Sequence, residues 1–258
     1  MTHDIRLSQR VRASREQIWR ACSEPQGLAN WQADEVRGNC NPGGTIQLEW
    51  GALGVSLALR VTEWEAGSRI GFEQPDGLVR LEISDETVHL TQEGISPGAD
   101  LQGLTSSWRV ALAQLAHSLE RHPGRARRVH WTTEIVPAPA ELVHMAMTEL
   151  ELARGWLSPD GAIPARGFAY GFHLHDGSWL SGRVLANSHG RDIALTCTEA
   201  GEASLAFRTF PTGVANQRLV ALVWSEWGAP TEAGRQRRAA LSSALEELRR
   251  MLGRRGIA

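Results

Sequence analysis

Apolar and polar residues alternate at the start of the chain and predict a β-strand over residues 5–11. Ser14 then offers an N-cap, and Gln17 three residues later completes the pattern of a capping box. A helix is therefore expected from Ser14 to about Cys22. Pro25 and Gly27 break it, and a short second helix is expected to follow.

The next part of the chain predicts an antiparallel meander. The turn signal Asn41-Pro42-Gly43-Gly44 introduces it, and further short turns separate its strands. Short connections of this kind join neighbouring antiparallel strands. The strands are expected around residues 45–50, 55–61, 69–73, 78–83 and 87–92.

A long amphipathic helix closes this part of the chain. Its apolar residues recur every three or four positions and form one stripe, made of Leu101, Leu104, Trp108, Leu112, Leu115 and Leu119. Pro123 and Gly124 end the helix, and the arginine-rich residues 125–128 are expected to form a solvated linker.

The same plan is then repeated. With a shift of 125 residues, identical residues align in six places: Val11/Val136, Ala13/Ala138, Glu16/Glu141, Ala21/Ala146, Glu24/Glu149 and Trp31/Trp156. With a shift of 123 residues there are six more: Gly44/Gly167, Gly54/Gly177, Arg60/Arg183, Val61/Val184, Gly67/Gly190 and Ile70/Ile193. The chain is therefore expected to contain two copies of one domain, residues 1–124 and residues 125–258.

The second copy shows the same order of elements. A helix is expected from about Pro139, and a final helix over about residues 231–252 carries the stripe Leu241, Leu245, Leu248 and Leu252. Strands are expected around residues 130–136, 168–174, 179–186, 191–198, 204–210 and 217–224. The fold class is α+β, with two tandem helix-grip domains, each a curved antiparallel sheet wrapped around a long C-terminal helix.

Each copy is a candidate for an apolar pocket. One helix does not cover a six-stranded sheet tightly, and a void between them is a natural small-molecule site. The same periodicity is also compatible with a solid core, and this alternative stays open. The first copy is expected to have the larger cavity. The candidate ligand-binding residues are Leu48, Trp50, Leu57, Leu59, Phe72, Leu81, Trp108, Leu112, Leu115, Tyr170, Phe172 and Phe207.

Composition narrows the function classes. The chain has 258 residues, 42% of them hydrophobic and 22% charged, as in ordinary globular proteins. Its start lacks a secretion signal and no apolar run is long enough for a membrane span, so a cytoplasmic location is expected. All 27 basic residues are arginine; residues 1–124 carry 16 acidic and 11 basic residues, and residues 125–258 carry 13 and 16. This balance does not indicate nucleic-acid binding.

Motifs for catalysis, cofactors or metals are not evident. Three scattered cysteines indicate neither a disulfide framework nor a zinc site. His173 and His175 share one side of a strand but lack a third ligand, so no metal site is predicted. Arg60 and Arg183 lie mid-strand at matching positions, and the alternation places them outward. No catalytic residue and no cofactor are assigned, and the prediction leans away from an enzyme.

The first copy resembles the START-like, or SRPBCC, proteins, and most closely the bacterial proteins named after the activator of the Hsp90 ATPase. The resemblance rests on residues 13–19, on Pro25 through Leu28 with Trp31, on Gly43-Gly44-Thr45-Ile46, and on Trp108. It covers nearly all of the first copy. The second copy keeps Trp156 but has His144 in place of Trp19 and Arg238 in place of Trp108. The resemblance implies the helix-grip fold.

Three functions remain open. The first is non-catalytic binding of a small apolar or amphipathic molecule, because each copy predicts a pocket without an acid-base constellation. The second is an enzyme of the polyketide cyclase or aromatase type, for which Tyr170 is the polar candidate within the predicted interior. The third is a chaperone-like or scaffold protein with a protein partner, which requires a large exposed apolar patch, expected in the second copy.

Overall fold

The computed structural model describes residues 2–75 and 77–255. The chain divides into two compact units, the first ending at Arg127 and the second beginning at Arg128. Each unit is a helix-grip domain, with one antiparallel sheet and one long C-terminal helix.

The first unit contains seven strands, in the spatial order β1-β7-β6-β5-β4-β3-β2. Its strands are β1 His3–Arg10, β2 Glu35–Gly38, β3 Thr45–Trp50, β4 Val55–Glu65, β5 Arg69–Gln74, β6 Gly77–Ser84 and β7 Thr87–Ile95. Its helices are α1 Arg15–Ser23, α2 Pro25–Ala29 and α3 Leu101–Arg121. The chain order therefore runs from strand to short helices to meander to long helix, as the sequence predicts.

The second unit contains six strands, in the spatial order β8-β13-β12-β11-β10-β9. Its strands are β8 Arg127–Val136, β9 Ala169–His173, β10 Trp179–Asn187, β11 Ile193–Cys197, β12 Ala203–Pro211 and β13 Arg218–Trp227. Its helices are α4 Ala140–Thr148, α5 Leu150–Ala153 and α6 Glu232–Arg255.

The strand β2 is the element that the sequence pattern misses. It is four residues long, mostly exposed, and pairs only with β3 at the edge of the sheet. Its sequence, Glu-Val-Arg-Gly, has a single apolar residue, Val36, which is partly buried against the first core, so the segment is too short to show apolar alternation. The backbone ladder to β3 therefore determines this strand.

The strand registers align the two units position by position. In the first unit Ile46 pairs with Leu59, and in the second Tyr170 pairs with Gly182. Because Leu59 and Gly182 each precede an identical arginine, Ile46 corresponds to Tyr170. The identical residues Ile70 and Ile193 align the next strands. Ile70 pairs with Leu81 and Ile193 pairs with Phe207, so Leu81 corresponds to Phe207. Leu48 likewise corresponds to Phe172.

Each unit has its own apolar core between its sheet and its long helix. Leu112 and Leu115 of α3 are buried in the first core, and Leu241, Leu245 and Leu248 of α6 are buried in the second. The apolar stripes predicted for the two long helices thus face their sheets. Within the described residues, no helix combines the length and the apolar character that crossing a membrane requires.

Candidate ligand cavity

A small cavity lies between the sheet of the first unit, the end of α2 and the first half of α3. Its volume is about 30 Å³. Twelve residues line it: Leu28, Trp31, Gln32, Ile46, Leu48, Leu57, Leu59, Phe72, Gln74, Val79, Leu81 and Trp108. None of these twelve side chains is titratable, so the cavity is an apolar site with two amide groups.

The wall of the cavity is rigid on one side and partly exposed on the other. Ile46, Leu48 and Phe72 are buried in the sheet, where the strand ladders hold them. Gln32, Leu57, Gln74 and Trp108, in contrast, are only partly buried. A volume of about 30 Å³ corresponds to about one water molecule. A larger ligand therefore requires the partly exposed side chains to move.

Gln32 carries a buried acceptor without a partner. Its backbone is held, because its N–H donates to the Leu28 carbonyl at 2.8 Å and its carbonyl accepts from the Trp50 indole at 3.2 Å. Its side-chain Oε1, however, is buried without a hydrogen bond from any described residue. A buried acceptor left unsatisfied costs about 1–3 kcal/mol. A ligand with an O–H or N–H group would recover that cost.

Trp108 joins the long helix to the sheet at the cavity. Its Nε1 donates to Gln92 Oε1 at 2.7 Å. Gln92, on β7, is only 1% exposed, so this bond is shielded from water. The bond fixes the end of the indole while the rest of the ring lines the cavity.

Six of the predicted residues of the first copy meet around the cavity: Leu48, Leu57, Leu59, Phe72, Leu81 and Trp108. Leu112 and Leu115 lie deeper in the same core and do not line the cavity. Trp50 does not line the cavity either; its indole N–H donates to the Gln32 carbonyl.

The three predicted residues of the second copy fill its interior. Tyr170, Phe172 and Phe207 occupy the positions of Ile46, Leu48 and Leu81, which line the cavity of the first unit. All three aromatic residues are buried, at 7%, 1% and 0% exposure. The larger rings at these three positions occupy more volume than the residues of the first unit, which favours the solid-core alternative for that copy.

Tyr170 is held as a structural residue. Its hydroxyl donates to the Thr196 carbonyl at 2.5 Å, and Gly182 lies opposite it in the neighbouring strand. Burial is the main cause that raises the pKa of Tyr170 well above its ordinary value. The hydroxyl is therefore neutral and already engaged.

Residues 12–120 match the family described as activator of Hsp90 ATPase homolog 1-like protein (AHSA1). Over these residues the first unit is similar to the AHSA1-like proteins, and it is called the AHSA1-like domain below. No curated protein gives a significant match to the chain.

The solved structures that are similar to this chain include both single-domain and two-domain proteins. The Aha1 dimer from Colwellia psychrerythraea is 19% identical, with 47% of this chain and 99% of that chain covered, at a TM-score of 0.43. CalU16 from Micromonospora echinospora is 24% identical, with 44% and 74% covered, at 0.39. The di-domain ARO/CYC StfQ from the steffimycin biosynthetic pathway is 10% identical, with 98% and 100% covered, at 0.41. Because these scores lie below 0.5, the fold assignment rests on the strand order and the family match.

Sequence reasoning missed half of the residues that line the cavity of the AHSA1-like domain: Leu28, Trp31, Gln32, Ile46, Gln74 and Val79. Ile46 and Val79 share strand faces with the predicted Leu48 and Leu81, so the alternation contained that signal. Leu28 and Trp31 belong to the motif that carries the family resemblance. Gln32 and Gln74 are polar residues near turns, and no pattern marks them.

The expectation that the first copy has the larger cavity concerns the interior of each domain, and it stays a prediction; the first interior has the cavity described above. The larger space, of about 890 Å³, is an open groove in the second unit, outside its packed core. It lies where β8 ends and α4 begins, beside the C-terminal end of α6. Because this groove is at the surface, the periodicity of the core residues does not predict it.

The polar candidates outside the cavity are surface groups. Arg60 is exposed and its Nε donates to Glu73 Oε2 at 2.9 Å, and Arg183 donates to the Gly167 carbonyl at 3.2 Å. His173 is exposed on an edge strand, with its Nδ1 2.7 Å from Asp160 Oδ2. In the part of the chain that the structure describes, no three histidine, cysteine or acidic side chains are grouped as a metal site.

Proposed function

We propose that the AHSA1-like domain binds a small, mainly apolar molecule that carries a hydrogen-bond donor. The observation that supports this most is the unsatisfied Oε1 of Gln32, at a cavity in which ten of the twelve lining residues are apolar. The apolar wall favours burial of carbon-rich surface by about 25 cal/mol per Å². The unsatisfied Oε1 of Gln32 then favours a ligand that places an O–H or N–H group against it.

Binding requires the cavity to open. Ligand sites usually have volumes of roughly 300–1,000 Å³, and the cavity holds about 30 Å³. Leu57 and Trp108 are partly exposed and lie at its boundary, so their movement would join the cavity to solvent. The buried strands β3, β5 and β6 would provide the fixed wall.

A catalytic function has no comparable support. A cyclase needs a polar group that faces its substrate with an altered pKa. The cavity has no titratable lining residue. Tyr170, the candidate in the second unit, donates its hydroxyl to a backbone carbonyl within a packed core.

The role of Gln32 is tested with two probes of nearly the same shape, 2-naphthol and naphthalene. The wild-type protein is expected to prefer 2-naphthol by about tenfold, because one buried hydrogen bond contributes about 1 kcal/mol and an unsatisfied acceptor costs more. The variant Gln32→Leu should lose this preference and retain naphthalene binding. Gln26→Leu, the same change at an exposed position on α2, is the matched control.

The location of the probe is tested by exchanging residues between the two units. Leu81→Phe places the residue of the second unit into the first and should abolish binding. Phe207→Leu makes the opposite change in the second unit and should leave affinity unchanged. Binding that survives Leu81→Phe, in a protein with native thermal unfolding, would contradict the proposal. Native mass spectrometry of protein from its own host would show whether a ligand copurifies.

A further inference from the structure

The open groove of the second unit, called the edge groove here, is built from apolar residues on one side. Ile135 and Pro137 lie at the end of β8, and Pro139 and Leu142 lie at the start of α4. Ile135 is 53% exposed. An exposed isoleucine beside other apolar residues, in an open groove of about 890 Å³, is typical of a binding site.

The corresponding surface of the first unit is polar. A shift of 125 residues aligns the four apolar positions of the edge groove with Arg10, Arg12, Ser14 and Gln17. There, Arg10 forms an ion pair with Glu86 at 2.9 Å, and the Arg12 N–H donates to Glu120 at 3.0 Å.

Ser14 and Gln17 form the capping box of α1 in the first unit, with bonds of 3.2 and 2.9 Å. In the second unit Pro139 stands at the N-cap of α4, without any side-chain cap bond. The same fold therefore forms with polar residues at all four positions. Their joint replacement by apolar residues in one copy requires an explanation other than stability.

A longer hairpin contributes a further wall of the groove. Residues 85–86 connect β6 to β7, whereas residues 212–217 connect β12 to β13. Glu86, which covers this place in the first unit, thus has no counterpart in the second. Asn216 and Gln217 of the longer connection line the edge groove and bring amide groups to it.

The third wall is cationic and comes from the end of α6, where Arg249, Arg250 and Arg254 line the groove. Arg249 pairs with Glu134 at 3.0 Å, and Arg250 pairs with Glu246 and Glu247. No described residue forms an ion pair or hydrogen bond with Arg254, which is exposed.

The C-terminal end of α6, where the backbone carbonyls are exposed, also lies at this wall and repels an anion. Its dipole is equivalent to about half a negative charge, whereas Arg254 carries a full positive charge. The guanidinium of Arg254 therefore decides the sign of the preferred ligand, and its planar fork suits a carboxylate or a phosphate.

We propose that the edge groove binds a free single-chain anionic amphiphile. Its hydrocarbon chain would lie against Ile135, Pro137, Pro139 and Leu142, and its anionic head would meet Arg254. A small ligand is favoured over a protein partner, because eleven described residues line the groove and stable protein interfaces use roughly 20–30 residues on each side. This proposal does not depend on the cavity of the first unit.

The test is calorimetric titration of the full chain with sodium dodecanoate, kept below its micelle-forming concentration. Dodecyltrimethylammonium, with the same chain and the opposite charge, is the comparison probe. We expect saturable binding of dodecanoate with one site per chain, and binding of the cationic probe weaker by about tenfold or more.

The variants Ile135→Arg and Leu142→Gln place the residues of the first unit into the second, where the same fold tolerates them. Leu142→Gln should weaken dodecanoate binding by about tenfold, since it removes apolar surface from the groove. Ile135→Arg removes apolar surface and adds a cation, so it should weaken the binding of dodecyltrimethylammonium the most. Arg254→Gln should weaken dodecanoate and not the cationic probe. Leu150→Gln, at another exposed leucine of the second unit, is the control and should change nothing.

Four results would overturn the proposal. Dodecanoate binding that is lost with Leu81→Phe and kept with Leu142→Gln would place the probe in the cavity of the first unit. Equal affinity for both probes would remove the role of Arg254. Sedimentation with phosphatidylglycerol vesicles, without binding of monomeric dodecanoate, would indicate a lipid surface, and capture of an acidic peptide alone would indicate a protein partner.

Discussion

The indole N–H of Trp31 donates a hydrogen bond to the carbonyl of Ala21, 2.9 Å away. Trp156 donates in the same way to Ala146, at 2.8 Å. Both tryptophans are nearly inaccessible, with 3% and 1% exposure. These four residues are two of the identical pairs in the repeat, so the copies retain a bond that ties the turn after the second short helix to the first short helix.

We therefore expect Trp31→Phe and Trp156→Phe each to lower the free energy of unfolding by about 1–3 kcal/mol, because a buried carbonyl is left unsatisfied and volume is lost. Urea denaturation followed by circular dichroism measures this. Trp179→Phe, at an indole with 41% exposure, is the control. A loss below about 0.5 kcal/mol in both variants would show that the shared bond contributes little.

The capping box predicts a second effect. Ser14→Ala removes the bond to the Gln17 N–H at the start of α1 and should cost about 1 kcal/mol in unfolding free energy. Ser8→Ala, at an exposed position on β1, should have almost no effect. Equal effects of the two changes in denaturant titrations would argue against a stabilising cap.

An ion pair on the sheet of the first unit predicts sensitivity to acid. Arg80 contacts Glu63 through two bonds of 2.7 and 2.6 Å, and the two side chains are 21% and 29% exposed. The hydrogen bonds from Arg80 lower the pKa of Glu63 below its ordinary value. The stabilisation is therefore complete above the pKa of an unfolded glutamate, about 4.3, and is lost as the pH falls through the lower folded pKa.

Accordingly, Glu63→Gln should reduce stability at pH 7 and flatten its decline in acid. The comparison is Glu86→Gln, which removes the more exposed pair with Arg10, for which we expect less than about 1 kcal/mol. Thermal unfolding between about pH 3 and 7 measures both. An unchanged acid slope in Glu63→Gln would contradict the assigned role.

His144 predicts a pH effect near neutrality. His144 occupies the position of Trp19 in the first unit, where the Trp19 ring packs edge-on against Trp64 with ring centroids 5.0 Å apart. The Nε2 of His144 lies 2.8 Å from Asn187 Oδ1. Burial, only partly offset by the Asn187 bond, lowers the pKa of His144. The unfolded chain then binds its proton first, so stability is complete above about pH 6.5 and is lost as the pH falls below it.

The variant His144→Gln keeps an amide that can bond to Asn187 and removes the titration. Its stability should vary less between about pH 5 and 7 than that of the parent protein. His89→Gln, at an exposed histidine of the first unit, should leave the slope unchanged. If the parent and His144→Gln show the same slope, another group titrates in this range.

The sequence predicted most of the fold because burial leaves a periodic trace. The alternation of Ile46 and Leu48, and the stripe through Leu112 and Leu115, identified the inner faces correctly. The edge strand Glu35–Gly38 left no such trace, since Val36 is its single apolar residue and its pairing with β3 is made by the backbone. Gln32 was missed for a related reason: a polar side chain near a turn carries no periodic signal.

The sequence by itself determined that the chain is a duplicated domain and which residues face each core, since these depend on local periodicity and on repeated identities. Only the tertiary structure decided which of those cores contains space. Ile46, Leu48 and Leu81 leave a cavity, whereas Tyr170, Phe172 and Phe207 fill the same positions. The edge groove was also a tertiary result, because Ile135, Leu142 and Arg254 are distant along the chain and meet only when the strand, the short helix and the long helix pack together.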